Sequence, residues 1–276
     1  MSTSSDDQRH TGLGFYGRGD IAARYRARPG YPRRSAAWAM GVLSRIRAQD
    51  AQRSDGRLFI LDAGCGTGQV SEALAKTGLG NVKLMALDPF QEMLENRLPR
   101  AAHVPGTVGV FEALPFREES FDGIFVGTAL HRGNPEKTPK ELHRVLRGSG
   151  VVATFYNVID KETFSYQAIS GSHLPLPADL NTMTSEISRG GKLNLGGGFT
   201  HMARSEWRRK VQLTPAEFRS YLQSRNDIGT AAPELQHQIW KQVESNLSQL
   251  RPGATVPIVT RTIVNISQRN SFTLTR

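Results

Sequence analysis

From Leu58 the chain alternates short apolar runs with amphipathic stretches, and that alternation predicts the fold. LFILDAG is an apolar run ending in glycine, the pattern of a strand buried on both faces. A helix is expected from about Thr67 to Thr77, stopped at Gly78. VKLMALD reads as a strand, FQEMLENRL as a helix, TVGVFE as a weaker strand and FDGIFVG as a stronger one. A helix is expected over residues 136–146, with Leu142, Val145 and Leu146 on its apolar face. GSG then turns the chain into VVATFYN, a fifth strand. Strands alternating with helices predict an α/β fold on a doubly wound parallel sheet.

The flanks read differently. Gly12, Gly14, Gly17 and Gly19 break any regular element near the N-terminus. Asp20 is placed to cap a short helix through Ile21, Ala22 and Tyr25; RPGYP interrupts the chain, and a second helix is expected over residues 33–48. Residues 160–200 are rich in Ser, Gly and Pro, as an insertion over a site would be. Beyond them, residues 205–213 read as a strand, TPAEFRSYL as a helix capped by Thr214, residues 232–250 as a longer helix, and VPIVTRTIVNIS as a last strand. The late antiparallel pair brings five parallel strands to a seven-stranded sheet. The expected division is an N-terminal lid at 1–50, a ligand-binding core at 51–158, an inserted cap at 159–204, and completion of the sheet at 205–276.

Composition narrows the setting. Cys65 is the single cysteine, so no internal disulfide forms, which suits a reducing, cytoplasmic compartment. No apolar run approaches membrane-spanning length, and the polar first residues carry no secretory signal. The net charge of +10 is concentrated at the two ends. Residues 1–60 hold 11 Lys/Arg against 5 Asp/Glu, residues 61–203 hold 13 against 15, and residues 204–276 hold 11 against 5. Basic flanks draw an anionic substrate or nucleic acid, or serve only as solvated surface.

The most informative stretch is Leu61-Asp62-Ala63-Gly64-Cys65-Gly66-Thr67-Gly68, between a predicted strand and a predicted helix. Glycines there let the backbone turn tightly and approach a ligand. Asp88 follows Gly68 by twenty residues, at the end of the next predicted strand, where an acid accepts hydrogen bonds from ribose hydroxyls. A dinucleotide site uses G-x-G-x-x-G and seats a pyrophosphate, which Asp62 would repel. G-x-G-x-G preceded by an acid instead suits the cationic sulfonium or ammonium of S-adenosyl-L-methionine.

LDAGCGTG, ALDPFQEML, EALPFREESFDGIFVGTALH and ELHRVLRGSGVVATFYN together resemble, in order and spacing, the motifs of class I S-adenosylmethionine-dependent methyltransferases. YRARPGYP is similar to a segment of the subset that includes trans-aconitate methyltransferase-like proteins. The resemblance implies a Rossmann-like domain. It implies that Asp62, Ala63, Gly64, Gly66 and Gly68 cradle the methionine part of the cofactor and that Asp88 holds the ribose. By the same resemblance Pro89 and Met93 flank the adenine, Phe111 and Glu112 lie over its edge, and Thr128 stands beside the transferable methyl. Two departures stand out: Arg132 and Gly133 replace common aromatic residues, and Ser149 replaces a usual proline.

Methyl transfer from a sulfonium is an in-line displacement, so the protein must mainly align the acceptor and exclude water. His131, after the fourth parallel strand, is the candidate base or positioning residue, with a structural role as the alternative. Tyr25, Arg28 and Tyr31 are candidates for a lid, and Arg28 and Arg132 for gripping a substrate carboxylate. No Cys/His spacing suggests a metal site. The expectation is a small-molecule methyltransferase with an anionic substrate. A nucleic-acid methyltransferase is one alternative, although GTALHRGN lacks the Asn/Asp-Pro-Pro-aromatic motif of the amino-group enzymes. A non-catalytic cofactor-binding module is the other.

Overall fold

Arg18 precedes a first helix, α1 (Gly19–Tyr25), and Pro32 precedes the second, α2 (Arg33–Ala48). The apolar run at Leu58 forms β1 (Leu58–Ala63), followed by α3 (Gln69–Ala75), β2 (Val82–Asp88), α4 (Gln91–Glu95) and β3 (Gly106–Val108). Then come β4 (Phe121–Gly127), a single 3-10 turn (Leu130–Arg132), α5 (Thr138–Val145) and β5 (Leu146–Ile159). The chain closes with β6 (Phe199–Leu213), α6 (Pro215–Gln223), α7 (Asn226–Gly229), α8 (Pro233–Ser248) and β7 (Val256–Arg269). This computed structural model describes residues 14–49, 56–78, 80–159, 194–196 and 198–270. Most of the expected cap at 159–204 therefore lies outside the described residues, as does the chain before Gly14.

The strands form one seven-stranded sheet in the order β3-β2-β1-β4-β5-β7-β6. β1 to β5 are mutually parallel, and β7 runs antiparallel between β5 and β6. The order reverses between β1 and β4, so their carboxyl ends open the crevice where such sheets bind ligands. One sheet face packs Leu61, Val126 and Tyr156 against Leu142 and Val145 of α5. The other packs Ile60, Phe125 and Phe155 against Ala36, Ala39 and Leu43 of α2 and Val70 and Leu74 of α3. Each fully buried Leu or Phe contributes about 1.5–3 kcal/mol. A third cluster sets α6 and α8 on the ends of β6 and β7 through Phe218, Ile239, Leu213 and Val256. No helix among the described residues is long and apolar enough to cross a membrane.

Several expectations shift. Asp20 does not cap α1: Arg18 holds the cap position, and the Asp20 carboxylate pairs with Arg18 and Arg24 instead. The weak strand TVGVFE shortens to Gly106–Val108, because the chain leaves the sheet edge there with Val108 and Val110 exposed. α5 ends at Val145, since Leu146 already pairs with Phe121 and starts β5. β6 begins at Phe199 rather than residue 205, where Phe199 meets Arg269 of β7. Thr214 does cap α6, in a reciprocal capping box with Glu217.

Candidate functional site

β1 delivers the chain into the glycine turn, which the positive φ angles of Gly64 (64°), Gly66 (54°) and Gly68 (82°) make possible. At Gly64 a Cβ would stand 2.7 Å from the Ala129 Cβ and 3.1 Å from the Phe111 ring. At Gly68 it would collide with Ala101, so two elements approach this loop too closely for any side chain. The turn is tied back by Cys65 N–H to the Leu87 carbonyl at 2.9 Å. Cys65 itself is buried, and burial pushes its thiol up, as suits a packing residue.

Asp62 is fully buried. Its Oδ2 accepts the Ser71 N–H at 2.9 Å and the Ser71 hydroxyl at 2.6 Å, clamping α3 to the end of β1. Oδ1 has no partner among the described residues, and a carboxylate oxygen left over in this way fits a cation. Burial pushes this carboxyl up to about 7, against the pull of the two Ser71 hydrogen bonds.

Asp88 ends β2 on the other side of the turn. Its Oδ2 accepts Gly66 N–H at 2.7 Å and its Oδ1 accepts Phe90 N–H at 3.0 Å. Burial pushes it up to about 6, the two amides working the other way. Each oxygen keeps a second lone-pair direction, so the residue fits a diol donor. Beyond it, Pro89 is half-buried, while Met93 packs with Phe15, Tyr16 and Tyr25. The Glu112 side chain accepts Asn134 N–H at 2.6 Å.

The N-terminal segment covers this region. The Tyr25 ring lies 3.4 Å from where a Gly66 Cβ would be. The Arg28 guanidinium stacks on Tyr25 at 4.1 Å and donates to the Ser224 hydroxyl at 3.0 Å and the Ser224 carbonyl at 2.6 Å. Thr128 follows β4 with φ of 49°, its hydroxyl 2.9 Å from the Tyr31 hydroxyl. Tyr31 OH also donates to the Phe155 carbonyl at 3.3 Å, and burial pushes its phenol up, keeping it neutral. Tyr25, Arg28, Tyr31 and Thr128 therefore line one cavity, together with Asn157, Tyr221 and Thr260. Arg132 is not among its walls: it stacks on Tyr16 at 4.6 Å and donates to the Tyr16 hydroxyl at 3.0 Å. Burial, then the charges of Arg132 and Arg28, push the His131 imidazole down to about 3, so it is neutral near pH 7.

Sequence reading named Tyr31 for the lid but not for this wall, and missed Asn157, Tyr221, Ser224 and Thr260 entirely. Only the RPGYP turn gave a local signal; Asn157 ends the ELHRVLRGSGVVATFYN motif without being singled out in it, and the others lie in the C-terminal third, far from any motif.

Residues 61–154 match the methyltransferase domain family. An uncharacterized methyltransferase of Mycobacterium tuberculosis is 32% identical over 144 residues, 51% of each chain. A malonyl-[acyl-carrier protein] O-methyltransferase of Herminiimonas arsenicoxydans is 33% identical over 129 residues, 47% of this chain and 45% of that one. The chain thus spans about half the length of the curated relatives it matches. Among solved structures, a candidate type II methyltransferase from Anaeromyxobacter dehalogenans superposes with a TM-score of 0.57 at 21% identity, covering 89% of this chain and 98% of that one. That likeness is one of fold.

Proposed function

We propose that this chain, whose residues 61–154 match the methyltransferase domain family, is a class I S-adenosylmethionine-dependent methyltransferase that methylates a small anionic molecule. One observation carries the reading: a buried acid, Asp88, ends a parallel strand and accepts the amide of Gly66 in a three-glycine turn. When bound, the cofactor supplies an activated methyl on a sulfonium. Asp88 would accept the ribose hydroxyls, and the Asp62 Oδ1 would offset the positive charge. Met93, Pro89 and the Phe111–Glu112 backbone bound the adenine side. Tyr25 and Tyr31 exclude water around Thr128, where the acceptor must be aligned.

Arg28 supports the anionic substrate. It lines the cavity, and among the described residues it has no carboxylate partner. Its remaining N–H groups suit a ligand carboxylate. Neutral His131 is suited to positioning an acceptor more than to storing its proton. Arg132, held by Tyr16, steadies the lid.

The test is incubation with a donor carrying an isotopic methyl, in small-molecule extracts and in RNA, read by mass spectrometry. Label in a small acid supports the proposal. Label in RNA, with steeply salt-dependent binding, favours the nucleic-acid alternative. Calorimetry that finds no donor binding removes the reading altogether.

A further inference from the structure

Among the described residues lining the cavity beside Tyr31 and Thr128, Thr260 alone carries a fully buried side-chain polar atom without a partner. Thr260 sits on β7 at 1% exposure, and its Oγ1 has no partner among the described residues. A buried hydroxyl without a partner is costly, so on a residue that lines a cavity it is a candidate for a ligand's hydrogen bond. Its neighbours make the contrast. Thr262, two residues on along the same sheet face, meets the Asn157 Oδ1 at 2.5 Å. Asn157 Nδ2 donates to the Pro29 carbonyl at 2.7 Å and to the Gly30 carbonyl at 3.2 Å. The Tyr31 hydroxyl is taken by Thr128 and Phe155, and the Tyr221 hydroxyl accepts from Arg225 at 3.3 Å.

The same contacts hold a cation in place. Asn157 from below and Arg209, whose Nη2 donates to the Gly30 carbonyl at 2.6 Å, pin the turn that carries Arg28. Ser224 fixes the guanidinium itself. Arg28 and Thr260 thus face one cavity from two different elements, both preorganised, one cationic and one a free hydroxyl. A carboxylate is the group that satisfies both at once: one oxygen on the guanidinium, the other taking the Thr260 O–H.

We infer that Thr260 is a substrate-binding residue, holding with Arg28 a carboxylate of the methyl acceptor. The inference rests on the methyltransferase reading for what the site serves, but carboxylate binding is measured without turnover. Valine has the shape of threonine and lacks only the hydroxyl, so Thr260→Val removes the interaction without opening a hole. The probe is malonate, titrated by calorimetry into the whole chain, with neutral malonamide as control and S-adenosylmethionine titrated separately. The expected result is saturable malonate binding, no malonamide binding, about tenfold weaker malonate binding in Thr260→Val and at least as large a loss in Arg28→Met. Thr260→Ser restores binding to within about twofold. Cofactor affinity stays unchanged in Thr260→Val, and its thermal midpoint does not fall, which a merely structural hydroxyl would not permit. If Thr260→Val fails to fold, Thr260→Ala with the serine rescue decides in its place. Equal malonate binding by wild type and Thr260→Val, or none by wild type, overturns the inference. Loss of S-adenosylmethionine binding in wild type would instead strike the methyltransferase reading.

Discussion

Asp88→Asn separates binding from folding. In the folded chain burial pushes this carboxyl from 3.8 up to about 6. A shift of about 2 units corresponds to roughly 3 kcal/mol. Because the folded value lies above the unfolded one, the folded chain holds the proton more tightly. The favourable contribution is therefore complete below about pH 4 and is lost as pH rises through about 6. At neutral pH the fold carries a buried anion at a cost. Asparagine removes that cost, but its amide nitrogen accepts no hydrogen bond, so either Gly66 N–H or Phe90 N–H loses its partner. That loss costs about 1–3 kcal/mol, close to the gain. The variant should therefore match wild type in stability near pH 7.5 to within about 2 kcal/mol. Its cofactor affinity should drop tenfold or more, since charge-assisted bonds to the ribose are worth about 1.5–3 kcal/mol. Urea unfolding of both proteins between pH 4 and 7.5 isolates this group by difference: wild type should lose about 3 kcal/mol relative to the variant across that range. A pH-independent difference would refute the burial argument. Wild-type affinity in the variant, measured by calorimetry at pH 7.5, would refute the ribose assignment.

Further outcomes follow from other contacts. Gly68→Ala should cost about 2–4 kcal/mol in denaturant unfolding, adding left-handed strain to the collision with Ala101, whereas Gly148→Ala, with open space around its Cβ, should stay within about 1 kcal/mol. Ser71→Ala removes the hydroxyl that holds Asp62; stability should fall by about 1–3 kcal/mol, with the loss checked by thermal unfolding at pH 8, where the carboxylate is ionised. With the imidazole pushed down to about 3, His131 should leave no inflection in the pH–rate profile between pH 5 and 9, and an inflection near 6.5 abolished by His131→Gln would contradict this.

The core of the fold is written locally. A parallel strand covered on both faces must be apolar throughout, so LFILDA and FDGIFVG announce themselves, and a glycine turn between strand and helix marks the ligand end of the sheet. Asp62, Asp88 and the three glycines were legible for that reason: each sits at a fixed offset from an element that its own neighbours specify. β6 was harder, because an edge strand with one wetted face carries charges at Arg204, Arg208 and Lys210, and its first residues look like the insertion before it. What only the tertiary structure decided are contacts between distant segments. Arg28 reaches Ser224 across 196 positions, and Tyr31 reaches Thr128 across 97. Arg132 turned to Tyr16 rather than to the cavity, and Thr260, an ordinary strand threonine in sequence, brought a buried unpartnered hydroxyl to a residue of the cavity wall. A residue's own neighbours set its preference for helix or strand through backbone sterics and burial. Its role at a site depends on which faces share buried area, and packing between elements far apart in the chain decides that.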